Sequence, residues 1–206
     1  MVISSLSYVK ERVSGPKVLS IGVIMRLMPE VLLDSAGMRR TLSRLAHEIL
    51  DGNGGADDLV VVGIMRRGYP VAKQLAFLMT QAEGVTVPCG KLDARGYRDD
   101  VKDSGEDLTE IPFQINDRRV VLVDEVLFTG RTVRAALEGI MRLGRPSVVQ
   151  FATLIDRGHR ELPIQADYVG RRVETQRSDF ISVKLNEFDG EDVVMLLAES
   201  EMEATV

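Results

Sequence analysis

The sequence predicts one α/β domain: a central, mainly parallel sheet flanked by helices, with a β-hairpin near the C-terminus. Strand-like and helix-like segments alternate through the middle of the chain, the pattern that builds parallel sheets through right-handed crossovers. The runs Leu59–Ile64 and Val120–Val123 are continuously apolar, as strands covered on both faces must be. With 206 residues, 45% apolar and 28% charged, the chain can bury a core without disulfides or a structural metal.

Residues 1–34 show no clear period and read as an N-terminal extension, so regular structure is expected from Asp34–Ser35, with residues 35–206 as the domain. Met38, Leu42, Leu45, Ile49 and Leu50 then recur at helical spacing, and the glycines at 52, 54 and 55 end that helix. Leu59–Ile64 is the first buried strand. Pro70 opens a second helix, with Val71, Leu75, Leu78 and Met79 on one side. A short strand is expected at Val85–Cys89. Gly96–Glu110 is polar and without period, about fifteen residues, a length at which a structureless stretch is usually functional, often a lid. Val120–Val123 is a strand, Thr132–Leu143 a helix with Val133, Ala136, Leu137, Ile140 and Met141 inward, and Val148–Leu154 a strand. Ile181–Leu185 and Val193–Leu197 suit a hairpin turning around Asp189-Gly190.

Composition excludes several classes. The single cysteine, Cys89, rules out an internal disulfide framework and a cysteine-rich zinc site, and fits a small buried apolar role. No apolar run approaches the roughly 20 residues that span a bilayer, and Val18–Met28 carries Arg26, so neither a membrane nor a secretory signal is expected, and the cytoplasm is the default. A net charge of −5 argues against indiscriminate nucleic-acid binding. It hides local excesses: Arg157–Arg177 holds five arginines against Glu161, Asp167 and Glu174, and Met38–His47 holds three arginines and no carboxylate.

The chemistry concentrates in Val120-Val121-Leu122-Val123-Asp124-Glu125-Val126-Leu127-Phe128-Thr129-Gly130-Arg131-Thr132. An apolar strand ends in two carboxylates, and ligands of open α/β sheets bind beyond the carboxyl ends of strands. Two acids there can accept hydrogen bonds from vicinal sugar hydroxyls. Thr129–Thr132, leading into a helix, offers backbone amides, hydroxyls and a helix dipole to a phosphate, and Gly130 allows its close approach. A sugar grip followed by a phosphate nest suits an activated ribose phosphate.

This segment resembles the phosphoribosyl pyrophosphate (PRPP) signature of type I phosphoribosyltransferases. Around it, Arg39–Ile49 (RRTLSRLAHEI), Tyr97–Asp100 (YRDD), Leu143–Pro146 (LGRP), Asp156–Pro163 (DRGHRELP) and Ala166–Gly170 (ADYVG) resemble the bacterial bifunctional pyrimidine operon regulators and uracil phosphoribosyltransferases, from about residue 34 onward. The resemblance implies the type I phosphoribosyltransferase fold with a small hood, and conversion of uracil and PRPP to UMP and pyrophosphate. It implies that PRPP is gripped by residues 120–132, that Asp124, Glu125 and Arg98 are the catalytic residues, and that Arg66, Arg67 and Gly68 form the pyrophosphate loop. Magnesium would arrive on the pyrophosphate, with no protein metal site assigned. The family's lid carries Arg98, and its hood follows Asp156. Phe128 stands where transferases for 6-oxopurines carry an aspartate and cannot transfer a proton, which disfavours a purine. The family further implies binding of pyrimidine-operon leader RNA through Ser43, His47, Arg160 and Arg171, with Arg40, Arg44, Arg157 and His159 available nearby. Transcription attenuation would respond to UMP or UTP, in a homo-oligomer of dimers or more. Here Glu125 replaces a usual aspartate, Ser43 a usual threonine and Gln165 a usual arginine, and Met65-Arg66 and Ala94-Arg95-Gly96 also differ. Two other readings stay open: an RNA-binding regulator with little transferase activity, and a transferase for another base without an RNA role.

Overall fold

The computed structural model describes residues 29–100 and 105–198; most of the expected N-terminal extension, 1–28, lies outside them. Five strands form a parallel sheet in the order β3-β2-β4-β5-β6: β2 (Leu59–Ile64), β3 (Cys89–Leu92), β4 (Arg119–Leu127), β5 (Val148–Asp156) and β6 (Tyr168–Arg172). A second sheet, order β1-β8-β7, joins β1 (Glu30–Leu33) to the hairpin of β7 (Phe180–Lys184) and β8 (Val193–Leu197), all antiparallel. The helices are α1 (Ser35–Asn53), α2 (Gly68–Glu83), α3 (Arg131–Leu143) and the single turn α4 (Asn186–Asp189).

Side-chain alternation in β2 and β4 divides the core into two layers. Val61, Val121 and Val123 face α1, α2 and the small sheet, where Leu45, Leu75, Ile181 and Val194 close the layer. Val60, Val62, Val120 and Leu122 face α3 through Val133, Ala136 and Ile140. The continuous apolar runs exist because these strands have no solvent face. Asp34 caps α1, its Oδ1 accepting the Gly37 amide at 2.6 Å, and Gly54 ends the helix at φ 67°.

The parallel sheet, the three expected helices and the C-terminal hairpin agree with expectation, and several local features do not. The third strand begins at Cys89 rather than running Val85–Cys89: Pro88 has no amide to donate, Val85 is exposed, and pairing with Val61 starts at Cys89. Cys89 is half-buried, and burial pushes its thiol up to about 11, so it stays neutral. β1 forms within a stretch that shows no period, because its pairing with β8 compensates for its weak pattern. β6 is an edge strand containing Gly170, where a Cβ would overlap the Leu154 carbonyl oxygen and lie 2.8 Å from Thr41 of α1. The hairpin turn holds the helical turn α4 before Gly190.

The long polar loop starts with a 3₁₀ turn, Arg95–Tyr97, and returns to β3 at Glu110, which exchanges both backbone hydrogen bonds with Lys91 at 2.9 Å. Its base is therefore fixed.

Gly63 ends the close packing between β2 and α2. A Cβ there would overlap Tyr69 Cα and sit 2.8 Å from Ala72 Cβ. Gly63→Ala is expected to cost about 1–3 kcal/mol through overpacking, read as a lower denaturation midpoint; an unchanged midpoint would contradict this packing.

Candidate functional site

Strands β2 and β4 are neighbours, yet the chain leaves β2 toward α2 on one face and β4 toward α3 on the other. The loops beyond their carboxyl ends diverge, which is where an open α/β sheet binds its ligand. Gly68 lets the β2 loop rest on the end of β4: a Cβ would fall 2.6 Å from the Val123 carbonyl oxygen and 3.1 Å from Asp124 Oδ1.

The two acids lie within β4, which continues to Leu127, four residues beyond the expected end. Asp124 is buried and Glu125 half-exposed. Asp124 Oδ1 accepts the Glu125 amide at 3.0 Å. Burial, and after it the charge of Glu125 and a hydrogen bond with that carboxyl, hold Asp124 well above the usual carboxylate range, against the attraction of Arg98. A buried carboxyl beside a second acid in a desolvated crevice is suited to taking hydrogen bonds from sugar hydroxyls.

Asp124, Leu127, Phe128, Thr129, Gly130 and Thr132 line one cavity of about 310 Å³ with Arg98, Asp100 and Arg131. Gly130 takes φ 89° at the start of α3 and, as a glycine, caps no amide; the Arg131 amide meets Thr129 Oγ1 at 3.4 Å, and the Thr132 and Val133 amides of the first turn face the end where an anion would sit. Ile164 and Leu162 cover the loop from above. Phe128 stacks under the Arg157 guanidinium at 4.2 Å and meets His159 edge-on at 5.8 Å, with Arg177 at 5.9 Å. Arg157, itself buried, donates to the Gln176 carbonyl at 2.8 Å. A second cavity, about 480 Å³, opens here between Asp156–His159 and residues 172–175.

The expected lid residue Arg98 reaches the phosphate loop. It donates to Thr132 Oγ1 at 2.9 Å and grips Asp100 with Nε and Nη2 at 2.8 and 2.5 Å. Arg131 bridges Asp99 at 3.1 Å and Glu161 at 2.8 Å, and Arg177 also pairs with Glu161. On the other side, Arg66 and Arg67 line a cavity of about 590 Å³ with Tyr69, Lys91, Glu187 and Asp189. The Met65–Arg66 peptide is cis.

The residues expected to meet RNA do not all come together. Arg44 donates to the carbonyls of Val169 and Gly170, joining α1 to β6, so the helix that carries Ser43 and exposed His47 lies along the strand that carries Arg171. His47 Nδ1 lies 2.7 Å from the Ser43 carbonyl, and Arg171 donates to the Leu32 carbonyl. Arg160 is placed differently. Its guanidinium donates to the carbonyls of Phe128 (2.9 Å), Gly158 (2.9 Å) and Ile164 (3.1 Å) and to Asp156 Oδ1 (2.5 Å). It staples the loop that begins at Phe128 to the segment above it. Sequence reasoning did not find Glu161, Asp99 or Asp189; each is an acid in a polar run, and only its distant arginine gives it a place.

Comparison with known proteins agrees with this fold. The Phosphoribosyl transferase domain family matches residues 30–187. The bifunctional protein PyrR of Pelotomaculum thermopropionicum is 53% identical over 174 residues, covering 82% of this chain and 96% of that one. PyrR of Deinococcus radiodurans is 50% identical over 169 residues, covering 80% and 92%. Among solved structures, a hypoxanthine phosphoribosyltransferase from Staphylococcus aureus superposes with a TM-score of 0.64 at 18% identity, covering 90% of this chain and 99% of that one. One from Trypanosoma cruzi gives 0.63 at 18%, covering 82% and 96%; at such identity the likeness concerns the fold. The chain belongs to the phosphoribosyl transferase domain family, within the branch of the bifunctional PyrR proteins.

Proposed function

We propose that this protein transfers the phosphoribosyl group of PRPP to uracil, giving UMP and pyrophosphate, and regulates pyrimidine operons by binding their leader RNA according to uridine nucleotide supply. One observation carries the transferase: buried Asp124 and the Thr129–Thr132 nest share one cavity, in the order a ribose 5-phosphate requires. Asp124 and Glu125 take the ribose hydroxyls, the α3 terminus takes the 5′-phosphate, and Arg66, Arg67 and Arg98 meet the pyrophosphate. Uracil N1 attacks C1′ as pyrophosphate leaves, so catalysis is mostly positioning and electrostatics. Phe128, stacked against Arg157, supplies no proton to a purine nitrogen. Magnesium would be carried in by the pyrophosphate oxygens, which are hard donors suited to it. The α1–β6 face with Ser43, His47 and Arg171 is the RNA surface. We place the protein in the cytoplasm as a homo-oligomer; among the described residues no helix is long and apolar enough to cross a membrane.

A second reading, a regulator with little transferase activity, is favoured by Arg98, whose guanidinium is occupied by Asp100 and by the Thr132 hydroxyl. Labelled uracil with PRPP and magnesium decides between them: UMP formation is expected, and none at millimolar substrates would leave the second reading.

Asp124→Asn should lower kcat/KM about 10- to 100-fold, the worth of a charge-assisted hydrogen bond of ~1.5–3 kcal/mol. It should also stabilise the ligand-free protein at neutral pH. Because the folded state raises this carboxyl above its ordinary 3.8, its contribution is full below that value and is lost as pH rises through the folded one. The Tm advantage of the variant should therefore shrink toward pH 4; near wild-type turnover, or no gain in Tm at neutral pH, would refute the assignment. Arg160→Ala should lower uracil turnover by about tenfold or more as the loop loses its staple, whereas His47→Ala should weaken only RNA binding in a filter titration. Intact turnover in Arg160→Ala would contradict the stapling role.

A further inference from the structure

The connection between β7 and β8 reaches across the molecule to the loop that follows β2. Asp189, the last residue of α4, receives Arg67 Nη1 at 2.5 Å and Nη2 at 3.2 Å. The carboxylate is itself held by backbone, since Oδ2 also accepts the Leu185 amide at 2.8 Å. Two positions earlier, Glu187 pairs with Lys73 of α2 at 2.6 Å. Two ion pairs thus tie one helical turn to residues 67–73, the stretch that enters α2. Arg67, followed by the Leu185 amide, holds the Asp189 carboxyl down at about 2, so it is ionised throughout the physiological range. From β4, the charge of Glu125 also acts on Arg67. Arg67 and Asp189 both line the cavity of about 590 Å³ beside Arg66.

A two-point contact between a guanidinium and a carboxylate fixes the plane of the guanidinium as well as its place. An arginine held in this way has already given up the rotamer freedom that a ligand would otherwise have to remove. We propose that Asp189 is a positioning residue, which holds Arg67 in the orientation in which its guanidinium meets the pyrophosphate of PRPP. This rests on the transferase reading above. It gives the small antiparallel sheet a part in the site, because β7 and β8 set where α4 presents its carboxylate.

The test is calorimetric titration of the full chain with two probes, magnesium-PRPP and UMP, which lacks the pyrophosphate. Asp189→Asn keeps an oxygen for the Leu185 amide and removes the charge that orients Arg67. It is expected to weaken PRPP by about three- to tenfold and to leave UMP unchanged, while Asp189→Glu recovers part of the loss. Unchanged or tighter PRPP binding in Asp189→Asn overturns the inference, as does an equal loss for both ligands, which would mark a general structural role. Asp189→Glu as weak as Asp189→Asn also overturns it. A wild-type chain that binds no PRPP overturns the transferase reading and this inference with it; wild-type binding with an indifferent Asp189→Asn removes the positioning role alone.

Discussion

The β2–β4 pair shapes the site because its two strands must be covered on opposite faces. α2 seals Val61 and Val123 on one side and α3 seals Val60 and Leu122 on the other, so the loops that lead to them part at the strand ends. That parting opens the crevice, and the close seat of Gly68 on Val123 and Asp124 keeps it narrow. A carboxyl at the floor of such a crevice loses its water, which is why burial, and after it the charge of Glu125, hold Asp124 above the usual carboxylate range. On the proposed reading, a bound sugar diol would relieve a cost already present in the fold.

Around this floor the loops are held by arginines acting on carbonyls and acids. Arg160 fixes Phe128, Gly158 and Ile164, and Arg157 fixes the segment at Gln176. Arg131 links Asp99 at the lid base to Glu161 above the phosphate loop. A guanidinium serves here because it offers five donors in one plane and stays charged at any working pH. The same residue type thus builds the site and, on the proposed reading, would meet the phosphates, with position alone separating the two uses.

Where residues run consecutively along the chain, their grouping is readable from the sequence: Val120–Thr132 carries a strand, two acids and a glycine turn into a helix, and Asp124, Phe128 and Thr129–Thr132 do line one cavity. Function that depends on distant partners is not readable in this way. Arg67 and Asp189 lie 122 positions apart, and nothing in Asn-Glu-Phe-Asp-Gly distinguishes a carboxylate that pairs with a distant arginine from a turn residue. Arg160, in a polar run, reads as a surface cation until Phe128 and Asp156 are seen around it. β1 and β6 escape for a related reason: their patterns are weak, and pairing with β8 and β5 supplies what local preference lacks.

The central claim is that residues 120–132 grip a ribose 5-phosphate. Its most direct test is equilibrium binding of UMP and of uridine, which differ only in the phosphate offered to the α3 terminus. UMP is expected to bind at least about tenfold more tightly at moderate salt, given charge-assisted bonds to several amides and hydroxyls. Equal affinities, or binding of neither, would contradict the grip.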